Sequence, residues 1–168
     1  MLFRSHLIPV GQVNRLTKKL TAEITPAVSW QSPDKNTGES HARKITAVTT
    51  IAKRLEAQLQ NRYIEYLIQK GHEYGTFKIT IPESNAPLSI DLVDKTEQKI
   101  IEVKAGSTRG YVRQAIGQVL DYVFQLKRIK NEVWKPAILL PGKPSDDLIE
   151  LINSLNIELI YESDKGFH

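Results

Sequence analysis

The sequence predicts a mixed α/β layer fold in which helices cover a central sheet. Three observations predict it. A long run of helical periodicity, Ile45 to Lys70, precedes three strand-like segments. A second long helical pattern, Tyr111 to Ile129, follows those strands. Short apolar strand signals and one more helical segment then alternate to the end of the pattern. At 168 residues and 40% hydrophobic content the chain is about one domain long, with enough apolar material for a core.

Residues 1–45 differ in character from 46–168, so they are expected to form an arm or extension on the main domain. Within them, Val13 to Ile24 predicts a short helix with Leu16, Leu20 and Ile24 on one face, and Trp30 to Ser40 reads as turn and loop material. In the first long helix Ala52, Leu55, Leu59, Ile64, Tyr66 and Leu67 recur at spacings of three and four. Thr49 and Thr50 are its candidate caps, and Gly71 is a natural stop. Thr76–Ile81, Leu88–Val93 and Lys99–Lys104 read as strands. The second helix turns Val112, Ala115, Ile116, Val119, Leu120, Val123 and Leu126 inward. Its Gly117 costs about 1 kcal/mol relative to alanine, for which close packing against the sheet is the expected reason. Ala137–Leu140 is a short apolar strand, Ser145 caps a helix to about Leu155, and Ile157–Tyr161 is the last strand.

Composition narrows the function classes. A net charge of +4 favours a polyanionic partner without requiring one. The absence of cysteine excludes disulfides, thiolate zinc sites and iron–sulfur clusters. No signal-peptide pattern and no membrane-spanning run are visible, so a soluble, cytoplasmic protein is expected. His6, His41, His72 and His168 form no ligand pair at helical spacing and read as surface residues. Trp30 and Trp134 read as packing residues, with base stacking the alternative for Trp30.

The second and third strands carry the chemistry. If Lys95-Thr96-Glu97-Gln98 is a four-residue hairpin loop, Asp94 pairs with Lys99, Val93 with Ile100, Leu92 with Ile101 and Asp91 with Glu102. Alternation puts Glu102 and Lys104 on one side of their strand, so Asp91, Glu102 and Lys104 converge. A slip of one residue would undo this. Two opposed carboxylates repel, and a divalent cation held by Asp91, Glu102 and the Val103 carbonyl removes that cost. Oxygen ligands suit magnesium, with manganese able to substitute. Lys104 then stands ready to relay a proton or to stabilise a pentacovalent phosphate. The competing reading of such a triplet is a cross-strand ion pair on a solvated face. The apolar neighbours Ile100, Ile101 and Val103 argue instead for a buried strand, where charges need a reason.

The following helix places Gln114, Gln118 and Tyr122 on one face at intervals of four. Gln118 is a candidate to orient a water or a phosphate, and Tyr122 to support the site. Arg109 and Arg113 flank the same end and suit phosphate, which makes them, with Gln114 and Tyr122, the candidate nucleic-acid contacts. Lys127 to Lys130 instead complement the dipole at the helix end.

Asp91, ten intervening residues, then Glu102-Val103-Lys104 resembles the signature of the PD-(D/E)xK nuclease superfamily. Gln118-Val119-Leu120-Asp121-Tyr122 is similar to the Q-x-x-x-Y element of its RecB-type branch. The resemblance covers roughly Ile45 to Tyr161. It implies a restriction endonuclease-like αβββαβ core with a mixed central sheet flanked by helices. It also implies magnesium-dependent cleavage of DNA leaving 5′-phosphate ends, with catalytic roles for Asp91, Glu102, Lys104 and Gln118. An acidic residue on the first helix is implied too, for which Glu56 is the candidate and Glu65 the alternative. Ile90 stands where the motif carries proline, and no histidine precedes Glu56 as it does in many RecB-type members. The expected protein is thus a magnesium-dependent deoxyribonuclease, acting as a homodimer or in a larger assembly where both strands are cut. The alternatives are a non-catalytic nucleic-acid-binding module, or a protein-interaction subunit of a larger bacterial defence or DNA-processing assembly.

Overall fold

A computed structural model describes residues 25–32 and 47–168, apart from Glu83 and Asn85. The expected helix of Val13–Ile24 and most of the expected loop after Trp30 lie outside the described residues. The described elements are β1 (Ala27–Gln31), α1 (Ala47–Lys70), β2 (Tyr74–Thr80), β3 (Leu88–Ser89), β4 (Leu92–Asp94), β5 (Lys99–Val103), α2 (Arg109–Lys130), β6 (Lys135–Leu140), α3 (Asp146–Ser154), β7 (Glu158–Ser163) and β8 (Gly166–Phe167). They form an α/β structure with a mixed eight-stranded sheet in the order β1-β2-β4-β5-β6-β7-β8, with β3 paired to β2. The pairs β5–β6 and β6–β7 are parallel and the others antiparallel.

The two faces of the sheet are covered separately, as alternation requires. Val93, Ile100, Ile138 and Leu140 point to the face covered by α2 and α3, where they meet Val112, Ala115, Val119, Leu126, Leu148 and Ile152. Leu92, Ile101, Val103, Ala137 and Leu139 point to the other face, where α1 supplies Leu59, Tyr63 and Leu67. Those three recur at intervals of four, and burying each stabilises the fold by about 1.5–3 kcal/mol. The register of this stripe differs from the expected one, since Leu55 is exposed and Tyr63 takes a core position. Thr49 and Thr50 lie inside α1 rather than capping it. Gly71 ends the helix at φ +75°, and the N–H of His72 closes on the Leu67 carbonyl at 3.0 Å.

Two expectations near the sheet edge are corrected. Trp30 and Gln31 are not loop residues but the end of β1, which pairs antiparallel with β2. The Trp30 indole packs edge-on against Phe77 at 5.3 Å. It also lies over Gly75, where a Cβ would come within 2.5 Å of its ring. Part of the expected arm is therefore a strand of the main sheet. The second correction concerns Gly117, which is exposed with nothing within 4 Å of a Cβ there, so sheet packing does not account for it.

The hairpin forms as expected. Asp94 pairs with Lys99, Val93 with Ile100 and Leu92 with Ile101 across the Lys95–Gln98 turn, in which Gln98 takes φ 52°. Every residue of β5 is buried. Ser145 precedes α3, but its hydroxyl reaches Asp147 Oδ1 at 2.6 Å instead of capping the helix backbone.

Candidate active site

Asp91 departs from the simple ladder. β4 begins at Leu92, so Asp91 occupies a bend before it and is not a ladder partner of Glu102. Its carboxylate nevertheless reaches β5, where Oδ2 accepts the N–H of Val103 at 3.0 Å. The two acids still converge, by a side-chain bridge rather than by strand pairing. The bend itself is held from two sides. Thr76 Oγ1 donates to the Ile90 carbonyl, and Gln60 Nε2 donates to the Asp91 carbonyl at 2.7 Å.

Glu102 and Lys104 face the α2 side of β5 and are 1% and 4% exposed. Lys104 Nζ donates to Glu102 Oε1 at 2.5 Å, while the buried Glu102 Oε2 meets no donor from the rest of the protein, and the Glu102 carboxyl lies within hydrogen-bond reach of the Asp91 carboxyl when one proton is shared between them. An unmet carboxylate oxygen in the interior is costly, and it marks a place where a cation or a donor fits. The Lys104 N–H bonds to the Leu139 carbonyl at 3.1 Å and so extends the β5–β6 ladder to the end of the site.

The carboxyls influence each other's proton affinity. Burial raises the Asp91 carboxyl above its ordinary range, against the pull of the Val103 N–H and the Lys104 charge. Burial, followed by the Asp91 charge, pushes the Glu102 carboxyl up to about 8, against the pull of Lys104. Tyr122 is buried beneath them. Its phenol is raised by burial first and by the charges of Glu102 and Asp91 next, while Gln118 hydrogen-bonds to it. Tyr122 thus lies in the interior, within electrostatic range of the carboxylates, rather than at the protein surface. The buried Oε1 of Gln118 has no partner.

Glu56 approaches from α1, and its Oε1 accepts the N–H of Ala105 at 3.3 Å. Its carboxyl is raised by burial, opposed first by the Lys104 charge. Among the described residues no three His, Cys, Asp or Glu side chains converge as a metal-holding group, so Glu56 stands beside the pair rather than within it. A divalent cation still fits what is present. The donors are hard oxygens, and two buried carboxyls meet beside a single lysine, with no donor from the rest of the protein on Glu102 Oε2. Asp91, Glu102 and the Val103 carbonyl are the residues that would hold it.

The expected nucleic-acid contacts separate. Arg113 and Gln114 are exposed in the first turns of α2. Arg109 is also exposed, but its guanidinium pairs with Asp147 at the start of α3. Three residues near the site went without a role in the sequence reading. Gln60 lies one turn beyond Glu56 on α1, a spacing that was visible, whereas Thr76 carries no sequence signal for its role. Ser107 donates to the Gly142 carbonyl at 2.6 Å and ties the loop after β5 to the loop after β6. His72, expected at the surface, is half-buried, with Nδ1 2.7 Å from Asp94 Oδ2. It belongs to the turn end of the hairpin, where a cavity of about 190 Å³ is lined by Tyr63, Tyr66, His72, Asp94, Lys99 and Phe167, away from the predicted site residues.

No helix among the described residues is long and apolar enough to cross a membrane. Compared with family models, curated proteins and solved structures, the chain gives no match.

Proposed function

We propose that the protein is a metal-dependent nuclease that hydrolyses DNA phosphodiester bonds. The observation that carries this reading is the meeting of two buried carboxyls, Asp91 and Glu102, beside Lys104, with the Glu102 proton affinity raised by burial first and by Asp91 next. A structural ion pair needs one acid and one base. This site holds an additional buried acid, which makes sense where a cation is to be bound.

Asp91, Glu102 and the Val103 carbonyl would hold magnesium, with manganese able to substitute. When bound, the cation supplies Lewis acidity toward a phosphate and lowers the pKa of a coordinated water. Lys104 holds positive charge at the inner wall of the site, where it stabilises the extra negative charge of the phosphate in the transition state. Glu56 fixes the chain at Ala105 through its backbone contact. Gln118 braces Tyr122 and keeps an amide oxygen available to orient a water. Arg113 and Gln114, exposed one turn from the helix start, would engage the phosphate backbone, and the Asp147 pairing makes Arg109 the weaker contact.

The test is cleavage of labelled single- and double-stranded DNA with magnesium, manganese or EDTA, beside Lys104→Ala and Asp91→Asn. Metal-dependent cutting lost in both variants supports the proposal. No cutting by the wild type, with DNA still bound, replaces it with a binding module. Cutting that survives in both variants places the chemistry elsewhere.

A further inference from the structure

Asp91 occupies an interruption in the strand path that builds the site. β3 ends at Ser89 and β4 begins at Leu92, so Ile90 and Asp91 lie outside the regular strands. Backbone groups in such a break need other partners, and here each carbonyl is met by a side chain. Thr76 Oγ1 of β2 donates to the Ile90 carbonyl, and Gln60 Nε2 of α1 donates to the Asp91 carbonyl at 2.7 Å. The N–H of Ile90 returns to the Phe77 carbonyl at 3.0 Å. The Asp91 peptide is therefore fixed from the helix side, while its carboxylate is fixed by the Val103 N–H.

Gln60 does not act alone on α1. Glu56 lies four residues earlier, on the same face, and accepts the Ala105 N–H at 3.3 Å. One turn of one helix thus touches both sides of the site, at the chain entering β4 and at the chain leaving β5. The two contacts are complementary in kind. Gln60 donates to a carbonyl and Glu56 accepts from an amide, so neither side chain can replace the other.

We infer that Gln60 is a positioning residue which, paired with Glu56 one turn away, sets the placement of the Asp91 carboxylate against Glu102. This rests on the nuclease reading as far as the metal is concerned, but the positioning itself is a property of the protein alone. Groups that orient a metal-binding carboxylate typically change affinity by about 10- to 100-fold when removed.

The experiment compares wild type, Gln60→Met and Gln60→Lys in the whole chain. Methionine keeps the length and removes the donor, whereas lysine keeps a donor. The first readout needs no metal and is amide exchange at Val103, whose N–H is held by Asp91 Oδ2. Faster exchange at Val103 in Gln60→Met, with Leu139 and Ile101 unchanged, supports the inference, as does restored protection in Gln60→Lys. The second readout is manganese affinity by calorimetry, expected to weaken about tenfold in Gln60→Met. Unchanged Val103 exchange in Gln60→Met overturns the inference, as does equal acceleration at Val103, Leu139 and Ile101, which would mean general loosening. If wild type binds no manganese the nuclease reading falls, and Val103 exchange still decides the role of Gln60.

Discussion

Lys104 Nζ and Glu102 Oε1, two residues apart on one strand, share a 2.5 Å hydrogen bond in the protein interior. Removing one member of such a pair strands the other. Lys104→Met is expected to destabilise the fold by up to about 3–5 kcal/mol at pH 9, where Glu102, no longer held down by Lys104, must either stay charged without a partner or take up a proton against the solution pH. At pH 5 the loss should be much smaller, because Glu102 can be neutral there. Urea unfolding at the two pH values checks the difference. An equal loss at both would mean that the lysine contributes through packing alone.

The raised Glu102 carboxyl predicts how metal-free stability depends on pH. Folding lifts its proton affinity from an ordinary 4.5 to about 8, so the folded state binds the proton more tightly than the unfolded chain. Its contribution is largest below about 4.5 and is lost as the pH rises through about 8. Asp91 shifts in the same direction and adds to the trend. Thermal unfolding in EDTA should show the midpoint falling across this window. Millimolar manganese should flatten the fall, since a bound cation favours the charged carboxylates and releases the proton.

Asp91→Asn should separate stability from function. The amide oxygen can still accept the Val103 N–H, while the repulsion with Glu102 disappears and leaves a balanced pair with Lys104. The metal-free variant is expected to gain about 1 kcal/mol or more above pH 8 and to lose manganese binding. Calorimetry and denaturant unfolding on the same preparation measure both.

Gly75→Ala tests whether β1 belongs to the folded unit. The new Cβ would meet the Trp30 ring at 2.5 Å and the Gln31 carbonyl at 2.8 Å. The expected cost is about 1–3 kcal/mol, with a change in tryptophan fluorescence as the indole is displaced. Fluorescence and stability both unchanged would show that β1 does not rest on β2.

Gly117→Ala works in the opposite sense. The position is exposed in the middle of α2 with open space around it, so alanine should stabilise by about 1 kcal/mol in a thermal melt.

Much of this architecture was legible because periodicity reports burial. The run Ile100-Ile101-Glu102-Val103 announced a strand buried on both faces, and the polar turn before it fixed the pairing of Leu92, Val93 and Asp94. The position of Asp91 was legible only in part. Counting along the ladder put it opposite Glu102, but the break at Ile90 and Asp91 depends on Thr76 and Gln60, which are distant in sequence and follow no pattern. The first strand escaped for a related reason. Trp30 and Gln31 run into a polar, turn-like sequence, and their strand character comes from pairing with β2 and from the contact with Phe77. On α1 the weak segregation of apolar and polar residues made Leu55 and Tyr63 hard to tell apart until the sheet showed which face it covers.

β5 has a hydrogen-bonded strand on each side and a helical layer over each face, and both Glu102 and the approach to Lys104 belong to it. Segments enclosed in this way are among the last to open when a protein is heated. Whatever chemistry these carboxylates perform is housed in the part of the molecule least able to melt by itself. Thermal inactivation should then have no early local phase, and function and fold should be lost together at one temperature.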